Sequence, residues 1–205
     1  SLNICDKINI YCKRNSIGVI HLFSKKNNNF LTGIDQRGNF QTYDDYELFF
    51  RSIIDFQKPL YIWGDCNGAW PAFYFSTKFN ANKALTINPQ FFCDRQTKLK
   101  TNDLRWINDD FHQTINNHIP QGYTYNEITN MSEILKKHKR WNTIFDLYYP
   151  DSEILDIKHA LFFQQYHMNL YPISNCTHQT IGKKLDINKK KVANQSIDHS
   201  LTMKY

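Results

Sequence analysis

The sequence lacks the features that mark several classes of protein. Its 205 residues contain no apolar run of the roughly 18 residues that a membrane-spanning helix needs. The five cysteines are widely scattered and include no C-x-x-C pair, which argues against a zinc site or a disulfide framework. No internal repeat is present. These absences predict a globular protein of a reducing compartment, cytoplasmic in location, with no transmembrane segment, no metal and no bound cofactor.

The composition is that of a folded domain with a substantial core. Hydrophobic residues make up 41% and aromatic residues 15% of the chain. We expect a single domain over residues 1–190 and a basic tail or linker over residues 191–205. The strand predicted near the start and the unfinished tail suit a piece of a larger multidomain protein.

The net charge of +6 is concentrated in two basic runs, Lys136–Arg140 and Lys183–Lys191. A nucleic-acid-binding protein can carry such runs. An enzyme that acts on phosphorylated or acidic substrates can carry them too, and solvated helix faces are the plain alternative. Because no nucleic-acid-binding motif accompanies them, we do not expect nucleic acid as a partner.

Strand-like and helix-like segments alternate along the chain. Runs of β-branched and aromatic residues predict strands at 7–12, 17–24, 30–35, 60–65, 83–90, 142–150 and 168–174. Apolar residues at helical spacing predict helices at 44–57, 67–79, 131–140, 156–165 and 180–185. Residues 91–130 look irregular and polar, which suits a small inserted lid. The alternation predicts an α/β fold with a mostly parallel sheet and helices on both faces.

In such a sheet the site lies at the carboxyl ends of the strands. The polar or reactive residues that follow the predicted strands are Cys66, Gln90, Asp151 and His178. Their order, with a cysteine in the role of nucleophile followed by an acid and a histidine, matches the order found in α/β-hydrolases.

Cys66 stands in a G-x-C-x-G pattern between a predicted strand and a predicted helix. Gly64 and Gly68 are expected to permit the close backbone approach of a sharp strand-to-helix turn. The free backbone N–H groups at the start of the next helix would favour a thiolate. The plain alternative is a small, buried, unreactive thiol.

Four segments resemble, in this order, the motifs of bacterial α/β-hydrolase-like proteins of capsule and surface-polysaccharide biosynthesis: GDCNGAW, ALTINPQ, NDLRW, and DIKHA followed by CTH. The resemblance spans residues 17–185 and departs from the family pattern at Cys66, where the family carries serine. Some members of this group are O-acetyltransferases. The resemblance therefore implies transfer of an acyl group to an anionic glycan, with acetyl-CoA as the co-substrate. It also implies a location in the cytoplasm or at the periphery of the inner membrane, beside the polysaccharide-assembly machinery.

The chemistry of the residue types gives each candidate a role. Cys66 would attack an acyl carbonyl and hold the acyl group as a thioester. His178 would take up and return the proton. Asp151 would orient the imidazole and stabilise its charged form. Asp156 is the alternative acid, because it matches the family's D-x-x-H-A motif, or else a helix cap.

Further residues complete the predicted site. The oxyanion hole is expected to use the backbone N–H of Asn67 and a second N–H from the loop at Ser24 and Lys25. Gln90 would hydrogen-bond within the triad or position the acceptor, or else satisfy loop backbone. Substrate-binding candidates are Trp70, Arg105 and Trp106, because indole rings stack on sugars and guanidinium groups bind phosphates. The plain alternatives are core packing for the tryptophans and solvation for the arginine.

Two other functions remain open at this stage. A thioesterase or carboxylesterase would use the same residues with water as acceptor. A non-catalytic glycan-binding module that has kept a relic hydrolase fold would explain the change from serine to cysteine.

Overall fold

The computed structural model describes residues 4–18, 20, 43–105, 107, 109–117, 119, 122–138 and 141–187. Contacts between Cα atoms divide the chain into two compact units. One unit comprises residues 24–181, and the other comprises residues 1–23 together with 182–205. The boundaries of a single domain over 1–190 and a tail over 191–205 stay a prediction.

Four parallel strands form one sheet. They are β1 (Tyr61–Asp65), β2 (Lys83–Ile87), β3 (Ile144–Pro150) and β4 (Asn169–Ile173). Their order across the sheet is the order along the chain, β1-β2-β3-β4, and each neighbouring pair is parallel. The carboxyl ends of all four strands therefore lie along the same edge, and among the described strands β1 and β4 are the furthest apart.

Helices occupy most of the remaining described chain. They are α1 (Ile4–Arg14), α2 (Tyr43–Ile53), α3 (Ala69–Phe79), α4 (Arg95–Thr101), α5 (Asp109–Asn116), α6 (Tyr125–Thr129), α7 (Met131–Lys137), α8 (Ile154–Gln164) and α9 (Ile181–Ile187). Within these described residues, no helix is both long and apolar enough to cross a membrane.

An aromatic stack shows how the helices pack on the sheet. The ring of Phe73 on α3 stacks on Phe145 of β3, with centroids 5.0 Å apart. It also stacks on Phe163 of α8 at 4.7 Å. Helices α3 and α8 therefore share one face of the sheet and bury its apolar side chains. Helices on the opposite face stay a prediction.

The structure confirms an α/β fold with a parallel sheet and corrects two segments. The strands predicted at 60–65, 83–90, 142–150 and 168–174 correspond to β1–β4. The strand predicted at 7–12 is wrong, because this segment belongs to helix α1. Residues 91–130 are not irregular, since they contain α4, α5 and α6; their role as a lid stays a prediction. The predicted strands at 17–24 and 30–35 lie largely or wholly outside the described residues.

Candidate active site

A tight turn carries Cys66 out of the sheet. Strand β1 ends at Asp65, residues Cys66–Gly68 form one turn of 3-10 helix, and α3 follows at once. Cys66 has φ of +50°, the left-handed region that non-glycine residues occupy at a cost of about 1–3 kcal/mol. A strained backbone at a strand-to-helix turn is the geometry that presents a nucleophile above a sheet.

The two glycines of the pattern play different parts. A Cβ atom on Gly64 would lie 2.1 Å from the carbonyl oxygen of Gly68 and 2.8 Å from the Cβ of Ala72. Gly64 is therefore required for β1 and α3 to approach each other. A Cβ on Gly68 would meet nothing within 4 Å, so the steric reason expected for Gly68 is wrong.

Cys66, His178 and Asp156 form one continuous chain of contacts. Nε2 of His178 lies 3.2 Å from Sγ of Cys66, and Nδ1 lies 2.8 Å from Oδ2 of Asp156. The side chain of Asp156 is only 3% exposed, whereas that of His178 is 24% exposed. The buried carboxylate thus lies behind the imidazole, and the thiol lies in front of it.

The structure corrects the preference for Asp151 as the acid. The carboxylate of Asp151 accepts a hydrogen bond from the hydroxyl of Ser174, and its backbone N–H donates to the carbonyl of Ile173. Asp156 is not the helix cap either, because that position belongs to Glu153. Asp156 lies in the first turn of α8, from which its side chain reaches the histidine.

The contacts of His178 shift the protonation of the site. The hydrogen bonds with Asp156 and then with Cys66 raise the pKa of His178 to about 10. Burial on its own would raise the pKa of Asp156, but the hydrogen bonds from His178 and Arg105 outweigh it, and the pKa of this carboxyl lies below its usual value. The arrangement therefore favours an imidazolium held between a carboxylate and the sulfur atom at neutral pH.

His178 must cross the end of the sheet to reach Cys66. The two residues follow β1 and β4, and three strand spacings amount to about 14 Å. The segment 174–178 bends at residues 174 and 175, with φ of +56° at Asn175, and passes over the ends of β3 and β2. The imidazole of His178 covers the remaining distance to Cys66.

Side chains at those two strand ends hold the crossing segment. The hydroxyl of Ser152, just after β3, donates to the carbonyl of Cys176 at 2.8 Å. The side-chain amide of Asn88, just after β2, donates to the carbonyl of His178 at 2.8 Å. Asn88 has φ of +49°, which asparagine tolerates better than most residues. Sequence reasoning overlooked Asn88 because the strand predicted over 83–90 enclosed it, whereas β2 ends at Ile87.

Three candidate binding residues lie inside the protein or hold other residues. Trp70 is only 3% exposed, so its ring packs in the interior and offers no surface to a sugar. The amide oxygen of Gln90, itself 7% exposed, accepts from Nζ of Lys98 at 3.4 Å and does not contact the triad. The guanidinium of Arg105 pairs with Asp103 and Asp156.

The predicted oxyanion hole falls only in part within the described residues. The backbone of Asn67 lies in the turn that follows Cys66, which is the position expected for the first N–H donor. Ser24, Lys25 and Trp106 lie outside the described residues. Within the described ranges, no group of three or more His, Cys, Asp or Glu side chains could hold a metal ion.

The fold and site together define an α/β protein with a Cys-His-Asp chain at the carboxyl ends of a parallel sheet. No family model matches the sequence, and no curated protein matches it. Among solved structures, the chain is similar to the capsule O-acetyltransferase of Neisseria meningitidis serogroup A in complex with caged gadolinium, with a TM-score of 0.50 and 12% identity. The match covers 74% of this chain and 63% of that one.

A second structure of the same enzyme, a mutant in complex with CoA, gives a TM-score of 0.48 and 10% identity over 72% of this chain and 62% of that one. The chain thus spans less than two thirds of the length of these neighbours. At 12% identity the likeness to the first structure establishes a similar α/β fold.

Proposed function

We propose that this protein is an acyltransferase of the α/β-hydrolase type that carries the acyl group on Cys66. The observation that carries the proposal is the position of His178, with Nε2 3.2 Å from the sulfur of Cys66 and Nδ1 2.8 Å from Asp156. A thiol, a base and an orienting acid in hydrogen-bond sequence are the groups that covalent acyl transfer requires.

The first half-reaction loads the enzyme. With His178 protonated, the Cys66 thiolate attacks the carbonyl carbon of acetyl-CoA and forms a tetrahedral intermediate, whose oxyanion accepts a hydrogen bond from the backbone N–H of Asn67. Collapse breaks the bond to the sulfur of CoA, which leaves with the proton from Nε2 of His178. Cys66 then holds an acetyl thioester, and His178 is neutral.

The second half-reaction transfers the acetyl group. Nε2 of neutral His178 takes the proton of an acceptor hydroxyl as its oxygen attacks the thioester. The bond to sulfur breaks, the ester leaves, and the thiolate and imidazolium are restored. Asp156 stabilises the imidazolium whenever His178 carries the proton. A thioester on cysteine is close in energy to the thioester of CoA, which suits a transferase.

A hydroxyl of a bacterial capsule or surface polysaccharide is the proposed acceptor. The similar fold belongs to a capsule O-acetyltransferase, which supports testing this class of acceptor first. The net charge of +6 favours both an anionic donor and an anionic glycan.

Intact-mass spectrometry tests the loading step. Incubation with acetyl-CoA should add about 42 Da, the mass that a single acetyl group brings to a thiol, and peptide mapping should locate it on Cys66. Cys66→Ala should show no adduct, whereas Cys176→Ser, which alters a buried cysteine two residues before His178, should load normally. The absence of an adduct on the unmodified protein, or equal loading of Cys66→Ala, would contradict the proposal.

The fate of the loaded acetyl group decides between transfer and hydrolysis. Release as free acetate, with no acceleration by glycan acceptors, would make the protein a thioesterase or esterase. Accelerated release with acetate on the glycan supports the transferase.

A further inference from the structure

The part of α8 that carries Asp156 and the chain that follows α4 are joined by two polar contacts. Asp156 and His159 lie three residues apart on α8 and therefore on the same face of that helix. Asp103 and Arg105 lie two residues apart in the chain that follows α4. Nη1 of Arg105 donates to Oδ1 of Asp156 at 2.8 Å, and Nε2 of His159 lies 2.9 Å from Oδ2 of Asp103. Each segment thus supplies one carboxylate and one donor that hydrogen-bonds to the carboxylate of the other segment.

Arg105 is held in a single orientation before it reaches Asp156. Its Nε and Nη2 donate to the two carboxylate oxygens of Asp103, each at 2.9 Å. Its backbone N–H donates to the same carboxylate at 3.0 Å. A two-pronged pair of this kind fixes the plane of the guanidinium, and the direction of Nη1 follows from that plane.

His159 serves Asp103 as a neutral donor. The backbone N–H of Phe91 donates to Nδ1 of His159 at 2.9 Å, so the ring proton is on Nε2 and points at Asp103. Burial lowers the pKa of His159, which keeps the ring neutral. His159 is 1% exposed and holds the carboxylate of Asp103.

Lys98 completes the surroundings of Asp103. Its side chain is fully buried, with Nζ 3.7 Å from Oδ2 of Asp103 and donating to the carbonyl of Arg105 at 2.6 Å. With neutral His159, the carboxylates of Asp103 and Asp156 are matched by Lys98 and Arg105, and the imidazolium of His178 is matched by the Cys66 thiolate of the proposed mechanism. A buried cluster whose charges balance and whose atoms are hydrogen-bonded can be kept without an uncompensated charge.

We propose that Arg105 is a positioning residue for the proposed reaction: it fixes the carboxylate plane of Asp156 so that Oδ2 faces Nδ1 of His178. The torsion that turns a carboxylate about its Cβ–Cγ bond has a broad minimum, and one hydrogen bond does not fix it. Asp156 has one partner on each oxygen, His178 on Oδ2 and Arg105 on Oδ1. Asp103, His159 and Lys98 act one step further back, because they hold Arg105.

This inference deepens the proposed function and rests on it, but its first measurement requires no substrate. In Arg105→Gln, Asp156 can turn away from the imidazole, and the pKa of His178 should fall from about 10 towards its ordinary value. NMR titration of the histidine ring measures this, with the signal assigned by its loss in His178→Gln. If Arg105 acted only as a positive charge beside Asp156, its removal would instead raise the pKa of His178. If the role of Arg105 were purely structural, the pKa of His178 would not change. Either outcome overturns the proposal.

The second measurement is the rate at which acetyl-CoA loads Cys66. Arg105→Gln should lower the limiting rate by a factor of about 10–100, as misplacement of a catalytic group does, with little change in the acetyl-CoA concentration that gives half the limiting rate. In an Asp156→Asn background the same substitution should have no further effect, because Arg105 acts through Asp156. An undiminished effect in that background would overturn the proposal.

A further variant guards against a folding defect. Arg105→Lys keeps the charge but lacks the planar fork, and should show most of the fall in the pKa of His178 if orientation is what matters. If folded Arg105→Lys leaves the pKa of His178 unchanged, the proposal fails. If the natural protein is never acetylated while these pKa changes occur, the proposed function fails and the positioning role stands.

Discussion

Asp156 lies 2.8 Å from the imidazole of His178, whereas Asp151, which follows β3 directly, bonds to Ser174. Asp156→Asn should therefore slow acetylation of Cys66 by a factor on the order of 10²–10⁴, because an amide cannot stabilise the imidazolium. Asp151→Asn is the matched control and should stay within about threefold, since it alters one exposed hydrogen bond. Equal losses in the two variants would return Asp151 to the role of the acid.

A second prediction concerns stability and pH. The pKa of His178 is raised to about 10 in the folded protein from 6.5, so the stabilisation that its protonated ring gives is complete below about pH 6.5 and is lost as the pH rises towards 10. The difference in free energy of unfolding between the natural protein and His178→Gln should therefore shrink over this interval. Urea unfolding under reducing conditions at several pH values measures it. A difference that stays constant with pH would show that His178 is not held as an imidazolium.

The β1–α3 turn gives a third prediction from its two glycines. Gly64→Ala should cost about 3 kcal/mol or more, or prevent folding, because the new Cβ would meet backbone atoms of Gly68 at 2.1 and 2.6 Å. Gly68→Ala should cost about 1 kcal/mol or less, since its Cβ has open space. The cost comes only from placing alanine, an unfavourable N-cap residue, at the start of α3. Thermal unfolding of the two variants compares them directly, and similar midpoints would contradict the close approach of β1 and α3.

The backbone of Cys66 leads to a fourth prediction. Cys66→Gly and Cys66→Ala both remove the thiol, but only glycine relieves the strain of φ at +50°. Cys66→Gly should therefore be more stable than Cys66→Ala by about 1 kcal/mol, although neither forms an acyl-enzyme. Chemical denaturation measures the difference. Greater stability of the alanine variant would show that the left-handed conformation carries no cost here.

Much of the fold follows from residue patterns. The four strands of the sheet are short runs of β-branched and aromatic residues between polar turns, and the pattern predicts all four. The prediction for residues 7–12 failed because alternation and helical spacing overlap in a short segment, where Ile4, Ile8 and Cys12 also recur every four residues. Residues 91–130 carry helix-start signals that were overlooked, notably the capping box of Thr124 and Glu127.

The sequence predicts those site residues that directly follow a strand, but not those whose position depends on where a helix directs its side chains. Cys66 and His178 follow strands, and the rule for parallel sheets brings them together. The choice of acid failed because proximity to a strand end does not say where a side chain points, and the first turn of α8 brings Asp156 to the histidine. The roles of Asp103 and His159 depend on contacts across more than 50 residues of chain, which one sequence does not contain.

The order of the strands also bears on how the protein folds. Cys66 and His178 are 112 residues apart in the chain and follow β1 and β4, so their contact requires the four described strands to be paired. Such long-range contacts close large loops and form late. A nascent or partly assembled chain therefore has the thiol without the histidine, and under the proposed function the capacity to form an acyl-enzyme arises only when β4 joins the sheet.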